Sequence, residues 1–121
     1  MQKKKTLVLG ASENPERASY LAINRLKLKQ HPIVAIGKKP GKVAGIAIGT
    51  EKVPVNGVDT ITLYLSARFQ KEYYDYILSL HPKRIIFNPG TENEELAGLA
   101  AKNNIIPLEA CTLVLLSTGQ Y

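Results

Sequence analysis

Residues Leu7-Val8-Leu9-Gly10-Ala11-Ser12-Glu13-Asn14-Pro15 join a short apolar run to a glycine turn and a proline-led helix start. Thr6 to Leu9 lacks polar alternation, which reads as a strand buried on both faces. Gly10 permits a tight turn and a close backbone approach that a side chain would obstruct. Asn14 is expected to cap the helix, with Pro15 at its first position, where a missing N–H does no harm. Such a helix would aim free N–H groups and its positive dipole end into a crevice, an arrangement suited to a phosphate or pyrophosphate. Gly10, Ala11 and Ser12 would then supply backbone N–H groups and one hydroxyl, and Arg17 could fold over the phosphate. A glycine in a strand–helix turn also serves without any ligand, so the turn alone leaves both readings open.

The segments that follow narrow the ligand. Ala18, Leu21, Ala22 and Leu26 recur at near-helical spacing, the helix ends near Gln30, and Pro32 follows as a stop. Ile33 to Ile36 is a second buried strand, closed by Gly37 and followed by Lys38 and Lys39. An NAD site places an acid at that point to hold the ribose hydroxyls. Two lysines there point instead to a ligand with an additional phosphate, although exposed lysines also occur with no partner. Ser12 and Pro15 stand where the second and third glycines of the dinucleotide fingerprint would be, which argues against a full dinucleotide.

Residues 38–59 are rich in Gly, Lys and Pro and read as a loop with one short extended segment at Ile46-Ala47-Ile48. Thr60 to Leu65 is a strand by its β-branched and aromatic content. From Arg68 onward, Phe69, Tyr73, Tyr76, Ile77 and Leu80 mark the apolar face of a helix. Arg84 to Asn88 is a fourth strand, and Pro89-Gly90 a turn. Thr91 with Glu94 reads as a capping box before a helix that buries Leu96, Leu99 and Ala100. Ile105 to Leu108 is a fifth strand, placed at an edge by Pro107. The tail from Thr112 to Tyr121, with apolar Leu113 to Leu116, has no readable conformation.

Strand and helix alternate without repeats or linkers. The expected architecture is α/β: one domain over residues 1–121, a Rossmann-like open parallel sheet of about five strands with helices on both faces. Ligands of such sheets bind beyond the carboxyl ends of the strands, where small, polar and cationic residues gather in this chain.

Composition excludes several function classes. A length of 121 residues suits one core, and no apolar stretch is long enough for a bilayer helix. The basic start from Lys3 to Lys5 precedes an apolar run only a strand long, unlike a signal peptide. The net charge of +6 is concentrated in the first third, but no aromatic interleaving or nucleic-acid motif accompanies it. Its expected sources are a solvated surface and an anionic small ligand. The single Cys111 excludes an internal disulfide and fits a reducing cytoplasm, and its default role is that of an inert buried thiol. His31 and His81 show no metal-ligand spacing, and no nucleophile–base pair can be assembled at the rim.

At these residues the chain resembles the small stand-alone CoA-binding proteins, relatives of the CoA-binding domain of succinyl-CoA synthetase. The likeness is carried by Val8 through Arg17, by the lysine pair, and by Phe87-Asn88-Pro89-Gly90-Thr91-Glu92-Asn93-Glu94-Glu95 leading to Cys111. The resemblance implies a Rossmann-like fold that binds coenzyme A or an acyl-CoA. It places Gly10, Ala11, Ser12 and Arg17 at the diphosphate and Lys38 and Lys39 at the 3′-phosphate. Leu65 and Ser66 would line the adenine side, and Asn88, Pro89, Gly90 and Thr91 would face the pantetheine. The synthetase's ATP-handling part and phosphohistidine loop have no counterpart in these residues, so binding is implied and ligase activity is not. Two other readings stand beside it: an NADP-dependent oxidoreductase, and a ligand-free assembly protein whose Leu113–Leu116 segment packs on a partner or a second copy.

Overall fold

The computed structural model describes residues 2–121. Its strands are β1 (Thr6–Leu9), β2 (Ile33–Ile36), β3 (Gly41–Val43), β4 (Ile46–Gly49), β5 (Thr60–Leu63), β6 (Arg84–Phe87) and β7 (Ile106–Glu109). Its helices are α1 (Ala18–Leu28), α2 (Ala67–Gln70), α3 (Tyr74–Ser79), α4 (Glu94–Lys102) and α5 (Thr112–Ser117), with a 3-10 turn at Lys71–Tyr73 joining α2 to α3. The strands form one sheet in the order β3-β4-β2-β1-β5-β6-β7. All pairs are parallel except β3 with β4.

Alternation along each strand explains the two layers of helix. Leu7 and Leu9 face one side of the sheet with Ile61, Leu63, Ile85 and Phe87, and pack against Ile77 of α3 and Leu96 and Ala100 of α4. Val8 faces the other side with Ala35 and Ile48, against Ile23 and Leu26 of α1 and Leu116 of α5. The expected Rossmann-like α/β class with helices on both faces is therefore present. The strand order reverses direction at β1, with β2 on one side and β5 on the other. That is the switch point at which open sheets of this type leave a crevice.

Four local expectations need correction. The sheet has seven strands rather than five, because the extended segment expected at Ile46-Ala47-Ile48 is a true strand, β4, which joins β2 and pairs with the unexpected β3 in a hairpin. The turn between them, Ala44-Gly45, takes positive φ at both residues (51° and 81°), the geometry that suits a two-residue hairpin. Alanine gives no local warning of such a turn. The lysine side chain of Lys27, from α1, reaches the Ala44 carbonyl and helps hold it. Second, the expected long helix from Arg68 to Leu80 is interrupted by the 3-10 turn, which shifts the helical phase. Third, α1 starts at Ala18 rather than after Asn14. Fourth, the cap of α4 is Asn93, whose Oδ1 accepts the Leu96 N–H at 3.2 Å. Glu94 is the first helical residue, so the Thr91–Glu94 box does not form. The undecided tail becomes α5, tucked against α1 through Leu116, while Val114 stays exposed.

Candidate functional site

The rim beyond β1 is shaped by two glycines. Gly10 has φ +94°, and a Cβ there would lie 2.8 Å from the Tyr64 carbonyl carbon. A Cβ at Gly37 would lie 2.2 Å from the Ala11 carbonyl oxygen. Both residues must be glycine for the ends of β1, β2 and β5 to meet this closely. The N–H groups of Gly10 and Ala11 both donate to the Ile36 carbonyl, at 2.8 and 2.9 Å. The Ser12 N–H donates to Ser19 Oγ at 3.1 Å. The amides expected to meet a phosphate are thus engaged in building the turn.

Residues 14–17 complete it. Asn14 Oδ1 accepts the Glu16 N–H at 3.0 Å, and its carbonyl accepts the Arg17 N–H at 3.0 Å. Asn14 and Pro15 make a turn of their own, a role both residues favour. Arg17 takes the N-cap place with extended dihedrals and no capping side chain. Ala18 and Ser19, the first helical residues, have no preceding helical carbonyl to receive their N–H groups. These amides, with the Ser12 hydroxyl, are the donors left at the mouth of α1.

Beyond this rim lies a cleft of about 870 Å³. One wall is Gly10 to Asn14, the next Arg17 to Ser19, the third Lys38 to Pro40, and the last Tyr64 to Ser66 with Phe69. The structure therefore gathers Gly10, Ala11, Ser12, Arg17, Lys38, Lys39, Leu65 and Ser66 around one space, although they come from three separate parts of the chain. The only carboxylate on the walls is Glu13, and its Oε2 accepts the Lys42 N–H at 3.2 Å. Among the described residues, Arg17 and Lys39 have no ion-pair partner. Cations facing a concave wall with little opposing charge focus a positive potential. Tyr64 lines the wall, and its hydroxyl is buried without a hydrogen bond. Burial pushes that phenol up to about 12, outweighing the nearby Thr62 and Thr112 hydroxyls.

Asn88, Pro89, Gly90 and Thr91 lie outside these walls. Asn88 is buried, and its Nδ2 donates to Thr62 Oγ1 at 2.7 Å and to the Leu63 carbonyl at 2.8 Å. Its Oδ1 accepts the Thr112 N–H at 2.9 Å. Thr91 Oγ1 donates to the Asn88 carbonyl at 2.7 Å. Pro89 and Gly90 are exposed. Cys111 is half-buried at the N-cap of α5. Among the described residues no cluster of His, Cys, Asp or Glu could hold a metal, and no helix is long and apolar enough to cross a membrane.

Sequence reasoning missed Phe69 as a wall residue. Its spacing from Tyr73 and Tyr76 placed it on a core-facing stripe, and the intervening 3-10 turn breaks that register. The Lys38 ammonium lies 3.8 Å from the Phe69 ring centre, and the Arg68 guanidinium carbon 4.5 Å from it. The available signal was proximity in sequence to the rim residues Leu65 and Ser66.

The sequence matches the CoA binding domain family over residues 4–117. The chain belongs to that family. Among solved structures, an uncharacterized protein is 50% identical, with full coverage of both chains and a TM-score of 0.97. A hypothetical protein from Pyrococcus horikoshii OT3 is 20% identical, with 97% of this chain and 84% of that one covered and a TM-score of 0.86. A Thermus thermophilus protein is 14% identical, with 99% and 92% covered and a TM-score of 0.86. The last two likenesses speak for the fold alone. No curated protein matches the sequence.

Proposed function

We propose that this CoA-binding-family chain binds coenzyme A or an acyl-CoA in the cleft at the β1–β5 switch point and performs no chemistry on it. The observation that carries the reading is the convergence of Arg17, Lys38 and Lys39 on the cleft beside the Gly10 turn, in a chain of the CoA binding domain family. Ser12, Arg17 and the first amides of α1 hold the diphosphate, where hydroxyl, guanidinium and helix dipole act together. Lys39 and Lys38 serve the 3′-phosphate as point charges. Leu65 and Ser66 border the adenine. Of the second rim, Pro89 and Gly90 are the members open to a pantetheine arm, while Asn88 and Thr91 keep the rim in place. The walls offer cations, hydroxyls and amides, a set suited to holding an anion. Glu13, the one wall carboxylate, is occupied by the Lys42 backbone.

Isothermal titration with CoA, dephospho-CoA, NADP and NAD tests this, using protein checked for co-purified ligand. CoA is expected to bind most tightly, with a clear loss for dephospho-CoA. Preference for NADP would transfer the site to an oxidoreductase reading, and absence of heat with all four would remove the ligand reading.

A further inference from the structure

Phe69 lines the cleft wall, and neither the glycine turn nor the lysine pair requires an aromatic ring there. It is half-buried, so its ring meets both the protein and the cleft. Its place is fixed by the next residue. Gln70 is fully buried, and its Nε2 donates to the carbonyls of Leu65 and Thr91, both at 2.8 Å. Gln70 Oε1 accepts from Asn93 Nδ2 at 2.9 Å. The Phe69 N–H donates to the Ser66 carbonyl at 2.9 Å. Short as it is, α2 is anchored to both rims, which fixes the backbone from which the Phe69 ring projects.

The Lys38 ammonium lies 3.8 Å from the centre of that ring. Lys38 comes from the opposite wall, after β2, so its side chain bridges the cleft. Among the described residues it makes no hydrogen bond or ion pair, and the residue is exposed. A cation over an exposed aromatic face is held weakly. A nucleobase stacked on an aromatic ring is held more firmly, and stacking accepts any base because every base has a flat π-face.

We propose that Phe69 is the platform on which the purine of the ligand stacks, and that Lys38 occupies this face until the base displaces it. The inference rests on the CoA reading above and extends it by naming the ring on which the adenine beside Leu65 and Ser66 stacks. Displacement would leave the Lys38 ammonium free beside Lys39, where the ligand's 3′-phosphate is expected. One movement would thus open the platform and supply charge to the phosphate. The Arg68 guanidinium carbon also lies over the Phe69 ring, 4.5 Å from its centre, so a second cation is held against the platform and must be accommodated or displaced when a base stacks there. Selection among nucleotides would then come from the phosphates rather than from the base.

The test titrates CoA, adenosine 3′,5′-bisphosphate and 4′-phosphopantetheine into the wild type and into Phe69→Ala, Phe69→Leu and Phe69→Trp variants. Folding of each is checked by thermal unfolding. Phe69→Ala is expected to weaken CoA and the adenosine bisphosphate about tenfold and to leave 4′-phosphopantetheine unchanged. Phe69→Trp should bind CoA at least as tightly as the wild type. The chain has no tryptophan, so the introduced one reports alone, and adenosine bisphosphate should quench it where 4′-phosphopantetheine does not. Equal CoA affinity for Leu and Phe at position 69 would overturn the platform, since leucine supplies apolar contact without a π-face. Equal loss of the adenosine and pantetheine ligands in Phe69→Ala would overturn it too, by showing a merely structural effect. Wild-type protein that binds no CoA would instead remove the reading on which the inference stands. Should Phe69→Ala fail to fold, the ranking of Trp, Phe and Leu decides alone.

Discussion

Two rims at the same end of the sheet begin with similar sequence logic and end differently. After β1, Gly10-Ala11-Ser12 turns into α1 beside an open cleft. After β6, Asn88-Pro89-Gly90-Thr91 turns towards α4 and is sealed by its own hydrogen bonds. Both stretches are small and polar and both precede a helix, so local sequence suggests a ligand site at each. The difference lies in what fills the space below. At the second rim the Asn88 amide uses both donors and its acceptor on β5 and the start of α5, which ties three elements together. At the first rim the side-chain joint is smaller: the buried Ser19 hydroxyl takes only the Ser12 N–H. Two glycines let the backbones themselves close up, and a cleft opens above them. Burying a satisfied amide makes a joint, whereas close backbone packing leaves a cleft.

Three substitutions test that contrast, the most disruptive first. Gly37→Ala puts a methyl into the Ala11 carbonyl, 2.2 Å from its oxygen, with the Ile48 side chain 3.2 Å away on the same site, so relief requires the backbone of Ala11 to move. A stability loss of about 3 kcal/mol is expected in urea unfolding, together with loss of CoA binding. A variant of wild-type stability would show that the first rim is looser than its geometry implies. Asn88→Ala leaves the Thr112 N–H and the Leu63 carbonyl without their partner. It should cost about 2 kcal/mol in urea unfolding while the folded protein keeps its CoA affinity. Selective loss of affinity at unchanged stability would turn the second rim into a ligand contact and dissolve the contrast. Lys39→Ala should be neutral for folding and weaken CoA about tenfold in titration, with little change for dephospho-CoA. Equal weakening of the two ligands would move Lys39 away from the 3′-phosphate.

The legible and illegible parts of the site divide along the same line. The cleft's position was readable, because Gly10, the lysine pair and Leu65-Ser66 each follow a buried strand, and parallel strands bring such positions to one edge. The donors were misread. Whether the Gly10 and Ala11 amides are free depends on Ile36, more than twenty residues away, which accepts both. The cap of α4 was misplaced by two residues because Thr91 and Asn93 are equally plausible caps by type. Asn93 also anchors to Gln70 and Tyr74, at 2.9 Å each, and Thr91 is engaged with Asn88.

By itself, the sequence determined the alternation of buried strands and amphipathic helices, a mainly parallel sheet with helices on both faces, and the end of the sheet where charge collects. These follow from periodicity, which records how each segment is buried whatever it is buried against. Only the tertiary structure decided that the extended segment at Ile46 to Ile48 joins the sheet and that Gly41 to Val43 pairs with it. It alone decided that one rim is sealed and the other open, and that Phe69 faces the cleft beneath Lys38. Each of those outcomes depends on which partner a backbone group or ring meets across the fold, and partners distant in the chain leave no local signature.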